Sequence, residues 1–368
     1  MSCSVQPGDG LHDLSTPALV VDLDALERNL QLMAHAVGGS GVALRPHSKS
    51  HKCPDIAKAQ MALGAVGVCC QTVHEAAVMV QAGVPDVLVT NEIVGLAKLR
   101  DLASLARSAR IAVLADNEAN VHELATAAAE ARVHLRVLVE VDVGANRCGV
   151  EPGGAAAVLA QAIAAVPWLQ FGGIHAYHGG AQHRRTPAER VQAIARAAEL
   201  ALLSRNAVEA SGLACPTVTG AGTGTWQLER DSGVYTELQP GSYIFMDADY
   251  GRNALAPEQH AFEQSLFVVT TVMSTPRDDR CVVDAGLKAL AFDSGPPLVR
   301  AARGLVYARA SDEHGIITVD DPLLRPGLGE RLWLVPGHCD PTVNLHDCIV
   351  GMRGGRVETV YRVAARGY

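Results

Sequence analysis

Short apolar segments alternate with helical stretches along the first two thirds of the chain. Each segment is apolar at nearly every position, as expected for strands of a parallel sheet that is buried on both faces. The stretches between them repeat apolar residues at helical spacing. Eight such segments occur: VALRPH (42–47), VGVCCQT (66–72), DVLVTN (86–91), IAVLAD (111–116), RVLVEVDVG (136–144), FGGIHAYHG (171–179), TVTGAG (217–222) and ELQPGSY (237–243).

Two helix starts carry clear capping signals. Asp24 followed by Glu27 fits a capping box at the start of a first helix. After the sixth segment, Thr186 is predicted as an N-cap, Pro187 occupies the first helical position, and Glu189 completes a second capping box.

The strict alternation of strands and helices predicts an α/β fold. Eight βα units within about 230 residues match the size of a TIM (β/α)8 barrel, although a doubly wound open sheet has the same rhythm. We predict the barrel. After residue 260 the pattern changes to strand candidates without long helices, which predicts a mostly-β C-terminal domain: SLFVVTTVM, RCVVDAG, GIITVD, ERLWLVPG, DCIVGM and RVETVYRVAA. The predicted division is an N-terminal segment, 1–21, packing with the β-domain, a barrel at 22–260, and the β-domain at 261–368.

Composition narrows the class of function. The chain has 368 residues, 48% of them hydrophobic, and a net charge of −8 with scattered basic residues. This pattern argues against nucleic-acid or anionic-membrane partners and favours a small-molecule substrate. The N-terminus lacks a signal-peptide pattern and no apolar run is long enough to span a bilayer, so we expect a cytoplasmic protein. Nine cysteines without a CxxC pair predict reduced thiols.

Polar residues follow several of the predicted strands, where a barrel gathers its reactive groups. The first strand ends in RPHSKSHK (45–52), with Lys49 between two histidines. The strand-end residues are Lys49, Arg147, Tyr177, Gln182, His183, Gly222 to Thr225, and Gln239 to Ser242. If the barrel is right, they converge in space.

Lys49 and one glycine-rich loop together suggest a cofactor. A lysine amine can form a Schiff base, and nearby cations such as Arg45 are expected to lower its pKa. The loop GAGTGTW (220–226) offers close backbone approach and N–H donors suited to a phosphate. It lacks the features of a Walker loop or a dinucleotide fingerprint. A Schiff-base lysine with a phosphate cradle and no nucleotide signature points to pyridoxal phosphate.

These residues carry a family resemblance. The strand-end lysine, GANRCG (144–149), LQPGSY (238–243) and the following β-domain resemble the alanine-racemase-type fold of pyridoxal-phosphate enzymes. Over nearly the whole chain, motifs such as LRPHSKSHK, AYHGGAQH, ELQPGSYIFMDADYG and VPGHCDPTVNLHD resemble the metal-activated D-threonine aldolase and 3-hydroxy-D-aspartate aldolase family.

The resemblance implies a role for each site residue. Lys49 would bind the cofactor aldehyde and His183 would be the general base. The other implied cofactor contacts are Arg147, Tyr177, Gly222, Thr223, Gly224, Thr225, Gln239, Gly241 and Ser242. Where racemases place an arginine before Pro-Gly, this chain has Gln239.

The resemblance also implies a metal site at His338 and Asp340. One imidazole and one carboxylate suit Mn²⁺ or Mg²⁺. In GHCDP the two residues are two apart, so an extended segment would project both to one side and turn Cys339 away. Related D-serine dehydratases carry His-x-Cys with zinc, so Asp340 favours an aldolase.

The implied activity is retro-aldol cleavage of D-β-hydroxy-α-amino acids to glycine and an aldehyde, by a homodimer. Two alternatives stay open: a D-serine or 3-hydroxyaspartate dehydratase, which would release ammonia and a keto acid, and a non-enzymatic pyridoxal-phosphate carrier. A substrate with a β-carboxylate would need a cation near the metal, for which Arg184, Arg185 and Lys288 are candidates.

Overall fold

The computed structural model describes residues 5–301 and 303–367. Its strands are β1 (Ala18–Asp22), β2 (Ala43–Leu44), β3 (Val68–Cys70), β4 (Asp86–Glu92), β5 (Arg110–Ala115), β6 (Leu135–Glu140), β7 (Leu169–His175), β8 (Val218–Gly220), β9 (Glu237–Leu238), β10 (Leu266–Arg277), β11 (Arg280–Val283), β12 (Leu298–Val299), β13 (Leu305–Ala310), β14 (Gly315–Val319), β15 (Arg331–Val335), β16 (Cys348–Arg353) and β17 (Arg356–Arg362). Its helices are α1 (Leu23–Val37), α2 (Pro54–Ala62), α3 (Val73–Gln81), α4 (Leu96–Leu105), α5 (Glu118–Ala131), α6 (Gly154–Ala164), α7 (Pro187–Ala210), α8 (Trp226–Asp231) and α9 (Cys339–Val343).

The eight predicted barrel strands form one parallel sheet in the order β2-β9-β8-β7-β6-β5-β4-β3. Its two outer strands meet through a parallel bridge between His47 and Cys69. The amide of Cys69 donates to the carbonyl of Pro46 at 2.8 Å, and the amide of Val66 donates to that of Leu44 at 2.9 Å. These bonds close the sheet into a barrel, so the predicted fold class is confirmed and the open-sheet alternative is excluded.

One of the two predicted helix starts is confirmed and the other is wrong. Thr186 caps α7, and its hydroxyl and the Glu189 carboxylate form the expected capping box. The helix α1 begins two residues earlier than predicted, because β1 runs directly into it and Asp22 accepts a hydrogen bond from the amide of Ala25 at 3.2 Å. Asp24 lies in the first helical turn instead and pairs with Arg353.

The barrel interior is divided into an apolar and a polar part. The apolar part is a buried cluster of side chains from β3 to β6: Cys69, Leu88, Ala112, Leu114 and Leu138. In the polar part, the buried guanidinium of Arg45 pairs with Glu237 at 2.9 Å and with Asp86 at 2.6 Å. Burial of Arg45 opposes its charge, but these two carboxylates outweigh that effect and raise its pKa. Arg45 therefore stabilises the barrel interior.

A second sheet of nine strands follows the barrel. Seven strands run in the order β13-β14-β11-β10-β1-β16-β17, while β15 pairs with both β10 and β12. The N-terminal strand β1 lies in this sheet, antiparallel to β10 and parallel to β16. The sequence pattern missed β12 and β13. The predicted domain boundaries stay a prediction, and residues 1–4 of the predicted N-terminal segment lie outside the described residues.

The structure bears on two expectations from the sequence: the absence of a membrane-spanning segment and the reduced state of the cysteines. Within residues 5–301 and 303–367, no helix combines the length and apolar character needed to cross a bilayer. Among the described residues, seven cysteines are free thiols. Cys348, by contrast, is disulfide-bonded, so the expectation of reduced thiols is wrong for that residue.

The buried ion pairs of Arg45 predict a large effect on stability. Arg45→Ala would leave Glu237 buried without a countercharge and would remove one of the two cations beside Asp86. We therefore expect the free energy of unfolding, measured by urea denaturation, to fall by about 3–5 kcal/mol.

Arg110→Ala is the matched control for this substitution. Its guanidinium lies 3.1 Å from the same Asp86, but the side chain is 79% exposed. We expect a loss below about 1 kcal/mol. Equal losses in the two variants would contradict the dominance of the buried pairs.

Candidate active site

An open cavity lies at the carboxyl ends of the barrel strands, where the second sheet packs against them. The predicted site residues that line it are Lys49, Arg147, Tyr177, His183, Gly222, Thr223, Gln239, Gly241, Ser242, His338 and Asp340. Gly224 and Thr225 are not among the lining residues. Groups that lie up to about 290 positions apart in the chain are thus brought together.

Lys49 lies in a short 3-10 turn, Ser48–Ser50, directly after the first barrel strand. Its Nζ is 3.5 Å from Oδ2 of Asp340. Burial would lower the pKa of Lys49, but the Asp340 carboxylate outweighs this and raises it.

The expectation that Arg45 and the histidines lower the Lys49 pKa is therefore wrong; Arg147 does lower it, but Asp340 outweighs this effect. Arg45 points into the barrel, where it is neutralised by two carboxylates. Burial lowers the pKa of His47 well below its usual value and that of His51 to about 4, so both imidazoles are neutral near pH 7. The charge that faces Lys49 is instead the carboxylate of Asp340.

Arg147 is presented by a tight loop after β6. The carboxylate of Asp142 accepts hydrogen bonds from the amides of Gly144 at 2.9 Å and Asn146 at 3.0 Å, which fold the loop back on itself. The guanidinium carbon of Arg147 lies 5.8 Å from the centroid of the Tyr177 ring, within reach of a cation–π contact. The two side chains therefore form one wall of the cavity.

The glycine and threonine loop is held in shape by Gln182. The side-chain oxygen of Gln182 accepts from the amide of Gly224 at 2.9 Å, and its amide group donates to Thr225 at 2.7 Å. Thr225 in turn donates to Glu229 at 2.7 Å. The Gly224 amide and the Thr225 hydroxyl are thus used within the protein, and these residues shape the loop.

Thr223 differs from these neighbours. It is buried, lines the cavity, and its hydroxyl finds no partner among the described residues. A Cβ at the adjacent Gly222 would lie 2.6 Å from the Gln182 side chain, so a larger residue there would push Gln182 away. An unsatisfied buried hydroxyl beside a glycine backbone fits an anionic oxygen such as that of a phosphate.

The segment after β9 packs closely on the Lys49 turn. A Cβ at Gly241 would lie 2.5 Å from Oγ of Ser50 and 2.8 Å from the carbonyl of His47, so only glycine fits. The hydroxyl of Ser242 donates to Asp340 at 3.4 Å. This segment thus connects the lysine turn to the predicted metal-binding carboxylate.

His183 is oriented by a carboxylate that the sequence pattern did not indicate. Its Nδ1 lies 2.5 Å from Oδ2 of Asp249, which Arg185 also contacts at 2.5 Å. Burial would raise the pKa of Asp249, but its bonds to Arg185 and His183 lower it. Because Nδ1 donates to this carboxylate, Nε2 is left as the ring nitrogen that can accept a proton.

His338 and Asp340 both line the cavity, but they are not arranged as predicted. His338 precedes α9 and Asp340 lies in its first turn, so the segment is helical rather than extended. Cys339 is fully buried, and its thiol contacts Asp340. Nδ1 of His338 lies 2.6 Å from Asp293, which leaves Nε2 as the nitrogen available to a metal.

The electrostatics of this pair suit a cation. Burial would raise the pKa of Asp340, but Lys49 and His338 lower it to about 2, so the group is a carboxylate. One imidazole nitrogen and one ionised carboxylate therefore face the cavity together. This donor set fits a divalent cation that completes its coordination with other oxygens.

Two of the residues that sequence reasoning missed are carboxylates placed behind histidines. Asp249 lies within MDADYG (246–251), a motif that carried the resemblance without a role for this residue. Asp293 is 45 positions from His338 in the chain, and no local pattern signals the contact.

The three cations proposed for a β-carboxylate do not line the cavity. Arg185 is bound to Asp249, and Lys288 is 67% exposed and paired with Glu313. Arg184 is exposed.

Comparisons with known proteins agree with the resemblance. Residues 21–249 match the alanine racemase, N-terminal domain family, and residues 265–352 match a family described as a serine dehydratase domain. The chain is 48% identical to D-threonine aldolase of Arthrobacter sp. over 99% of its length and 96% of the relative's. It is 45% identical to 3-hydroxy-D-aspartate aldolase of Paracoccus denitrificans, with 98% and 94% covered.

One solved structure is comparably similar to this chain. The crystal structure of D-threonine aldolase from Filomicrobium marinum superposes with a TM-score of 0.97 at 49% identity, covering 99% of each chain. A more distant relative, D-threo-3-hydroxyaspartate dehydratase of Delftia sp., is 29% identical over 91% of this chain and 93% of its own. The family resemblance inferred from the motifs is confirmed.

The unpaired hydroxyl of Thr223 yields a prediction that separates cofactor binding from stability. Thr223→Val would remove a bond to the phosphate, and we expect pyridoxal phosphate to bind about tenfold more weakly. Without the cofactor, the free energy of unfolding should stay the same or rise slightly, because no bond within the protein is lost. Absorbance titration and urea denaturation measure the two quantities.

Thr225→Val is the control for this experiment. It would break the bonds to Gln182 and Glu229, and we expect it to lower the free energy of unfolding by about 1–3 kcal/mol even without cofactor. If Thr223→Val destabilised the cofactor-free protein as much as Thr225→Val, the hydroxyl of Thr223 would not be unpaired.

Proposed function

This chain belongs to the alanine racemase, N-terminal domain family, within the group that includes D-threonine aldolase and 3-hydroxy-D-aspartate aldolase, and we propose that it cleaves D-β-hydroxy-α-amino acids to glycine and an aldehyde. It is accordingly a carbon–carbon lyase. The observation that carries the proposal is the convergence of Lys49, His183 and the His338–Asp340 pair on one cavity.

Pyridoxal phosphate is the cofactor expected from the fold and the relatives. Bound here, it supplies the electron sink that accepts the bonding pair when the Cα–Cβ bond breaks. Lys49 would hold its aldehyde carbon, and Arg147 and Tyr177 would form the wall beside the ring. Gly222 and Thr223, with Gly241 and Ser242, would hold its phosphate, while Gly224 and Thr225 would act by shaping the loop.

We propose His338 and Asp340 as the ligands of a divalent metal, Mn²⁺ or Mg²⁺. Nε2 of His338, once a metal has displaced its proton, and the carboxylate of Asp340 are donors of the required type, and Asp293 holds the imidazole in place. A cation at this pair would supply Lewis acidity to the β-hydroxyl of the substrate. Lys49 would then no longer be the countercharge of Asp340.

His183 is the proposed general base. Asp249 holds the proton on Nδ1, so Nε2 is free to accept the proton of the β-hydroxyl. Loss of this proton allows the C–O bond to become a carbonyl as the Cα–Cβ bond breaks, which releases the aldehyde. Return of a proton to Cα completes glycine.

Dehydration is the second candidate function, and the distant dehydratase relative supports it. The same lysine and metal pair could expel the β-hydroxyl and yield ammonia and a keto acid. The identities of 45–48% to aldolases favour cleavage. A non-enzymatic cofactor carrier is disfavoured because it would not need a metal pair beside the cofactor lysine.

Three further points stay predictions: a homodimer, a cytoplasmic location, and the division into an N-terminal segment, a barrel and a β-domain. Placement of β1 within the second sheet supports an N-terminal segment that belongs with the β-domain.

The reaction type can be tested by product identity. We expect holoenzyme with D-threonine to produce glycine and acetaldehyde, to lose this activity after EDTA treatment, and to regain it with Mn²⁺. Both products are quantified together with ammonia and 2-oxobutanoate. Ammonia and 2-oxobutanoate as the main products would contradict the aldolase and establish the dehydratase.

His183→Ala tests the proposed base. We expect cleavage of D-threonine to fall about 100-fold or more, because an acid–base group is lost from the reacting proton. The absorption band of the bound cofactor should persist. His178→Ala, at a neighbouring histidine outside the cavity lining, is the control, and full cleavage by His183→Ala would remove His183 from this role.

A further inference from the structure

A buried lysine, Lys52, joins four segments of the chain beside the cavity. Its side chain is 10% exposed, and its amino nitrogen lies 2.8 Å from Oδ1 of Asn344, 2.8 Å from the carbonyl oxygen of Gly367 and 3.1 Å from Oε1 of Glu75. An ammonium group has three N–H donors, so all three are used. Lys52 is therefore the junction of the turn that carries Lys49, the helix α3, the end of α9 and the C-terminal segment.

The backbone of Lys52 is held as firmly as its side chain. Its φ of 50° lies in the left-handed region, which is uncommon for residues other than glycine. Its amide donates to the carbonyl of Ser48 at 2.7 Å, and its carbonyl accepts from the amide of Ala365 at 3.0 Å. Such a conformation persists only where the surrounding structure determines it, so the fold sets the direction of the Lys52 side chain.

Asn344 connects Lys52 to the proposed metal-binding helix. It is the C-cap of α9, a helix of five residues whose first turn contains Asp340. Oδ1 of Asn344 accepts from Lys52 and also, at 3.0 Å, from the amide of Gly367. A helix this short is not stable on its own, so its position depends on tertiary contacts. These two bonds hold its C-terminal end.

The other contacts of α9 hold its start and one side. Asp247 accepts from the amide of Cys339 at 2.9 Å, and the hydroxyl of Thr342 accepts from the amide of Ala291 at 3.2 Å. Without a hold at its last residue, the helix axis could still tilt about these contacts, and the Asp340 side chain would change direction with it. Because a metal site tolerates ligand errors of only about 10–20°, the anchor at the C-terminal end is important for a cation.

The turn that carries Lys49 does not depend on the Lys52 side chain. The hydroxyl of Ser48 donates to the carbonyl of Cys69 at 2.8 Å, and Gly241 packs closely against the turn. The bond from Lys52 to Ser48 is made by the backbone, so a substitution keeps it. Loss of the Lys52 side chain should therefore affect α9 and leave the proposed cofactor lysine in place.

The charge of Lys52 is balanced where it lies. The side chain of Glu75 is 3% exposed, and its second carboxylate oxygen accepts from the amide of Gln71 at 2.7 Å, which holds it beside Lys52. An unpaired ammonium group near a metal site would repel the cation. With Glu75 as its partner, Lys52 can support α9 without opposing a metal.

Lys52 and Asn344 line a groove beside the cavity together with His338 and Asp340. We propose that Lys52 is a positioning residue for the metal site: through Asn344 it fixes α9 in the orientation in which His338 and Asp340 face one cation. This inference rests on the proposed metal ligands. It assigns to Lys52 control of metal affinity and not of cofactor affinity.

The test measures metal affinity in the holoenzyme. The full chain, loaded with pyridoxal phosphate, is titrated with Mn²⁺, and the electron paramagnetic resonance signal of free Mn²⁺ gives the dissociation constant. Lys52→Met keeps the apolar stem and removes the three donors. We expect it to bind Mn²⁺ about tenfold more weakly, the usual scale for a residue behind a metal ligand. The affinity for pyridoxal phosphate, measured by absorbance titration without metal, should be unchanged.

A second variant avoids the buried carboxylate of Glu75 that Lys52→Met leaves without a countercharge. Asn344→Leu removes the acceptor on α9 and keeps the pair of Lys52 and Glu75, and we expect a similar loss of Mn²⁺ affinity. Because both substitutions break the same bond, the double variant should bind Mn²⁺ no more weakly than the weaker of the two single variants.

Ser204→Ala is the control for a merely structural effect. The buried hydroxyl of Ser204 accepts from the amide of Gly153 at 2.9 Å, and neither residue lines the cavity. We expect its Mn²⁺ affinity to equal that of the wild type.

Each contrary result has a distinct meaning. Wild-type Mn²⁺ affinity in both Lys52→Met and Asn344→Leu would overturn the inference and leave the metal ligands in place. Equal losses of Mn²⁺ and cofactor affinity, or a loss in Ser204→Ala of the same size, would show a general effect on folding and also overturn it. A wild type that binds no Mn²⁺ would overturn the proposed ligands and this inference with them, while product identity decides the reaction separately.

Discussion

The buried ion pair between Arg45 and Glu237 sets the direction of the polar bonds inside the barrel. Because this carboxylate can only accept, Thr219 must donate to it and Gln239 must donate to Thr219. The side-chain oxygen of Gln239 in turn lies beside Nε2 of His175, and Nδ1 of His175 contacts Glu140. A buried charge pair thus fixes the side-chain orientation of Gln239, which lines the cavity, and the low dielectric of the interior makes any reversed bond costly.

The candidate site exists only because the barrel and the second sheet pack together. Asp247, at the end of the barrel, accepts a hydrogen bond from the amide of Cys339 at 2.9 Å, at the first residue of α9. The amide of Ala248 donates to the carbonyl of Pro336 at 2.9 Å, just before that helix. These contacts hold Asp340 against Lys49. The proposed cofactor lysine thus follows a barrel strand, whereas the proposed metal-binding carboxylate lies on a helix that follows a strand of the second sheet.

A carboxylate lies behind each of three cavity histidines. Asp249 contacts His183, Asp293 contacts His338, and Glu140 contacts His175. In the first two, one ring nitrogen is occupied and the other faces the cavity side of the ring, which is the orientation that the proposed roles as base and metal ligand need. In the third, Gln239 occupies the second nitrogen as well. The same pairing thus orients the proposed base and the proposed metal ligand at the rim and a buried imidazole in the interior.

The sequence by itself determined the local elements and the residues that follow them. Eight apolar segments predicted the barrel strands because burial on both faces favours apolar side chains at nearly every position, and Thr186 marked its helix because capping is a local bond. Lys49 and the loop of Gly222 and Thr223 were identifiable because strand ends meet at one rim. Only the tertiary structure shows that Arg45 lies inside the barrel and that Asp340 lies on a helix. It also shows that Asp249 and Asp293 contact their histidines. These outcomes depend on partners far apart in the chain, and the energy of a buried charge depends on those partners rather than on its sequence neighbours.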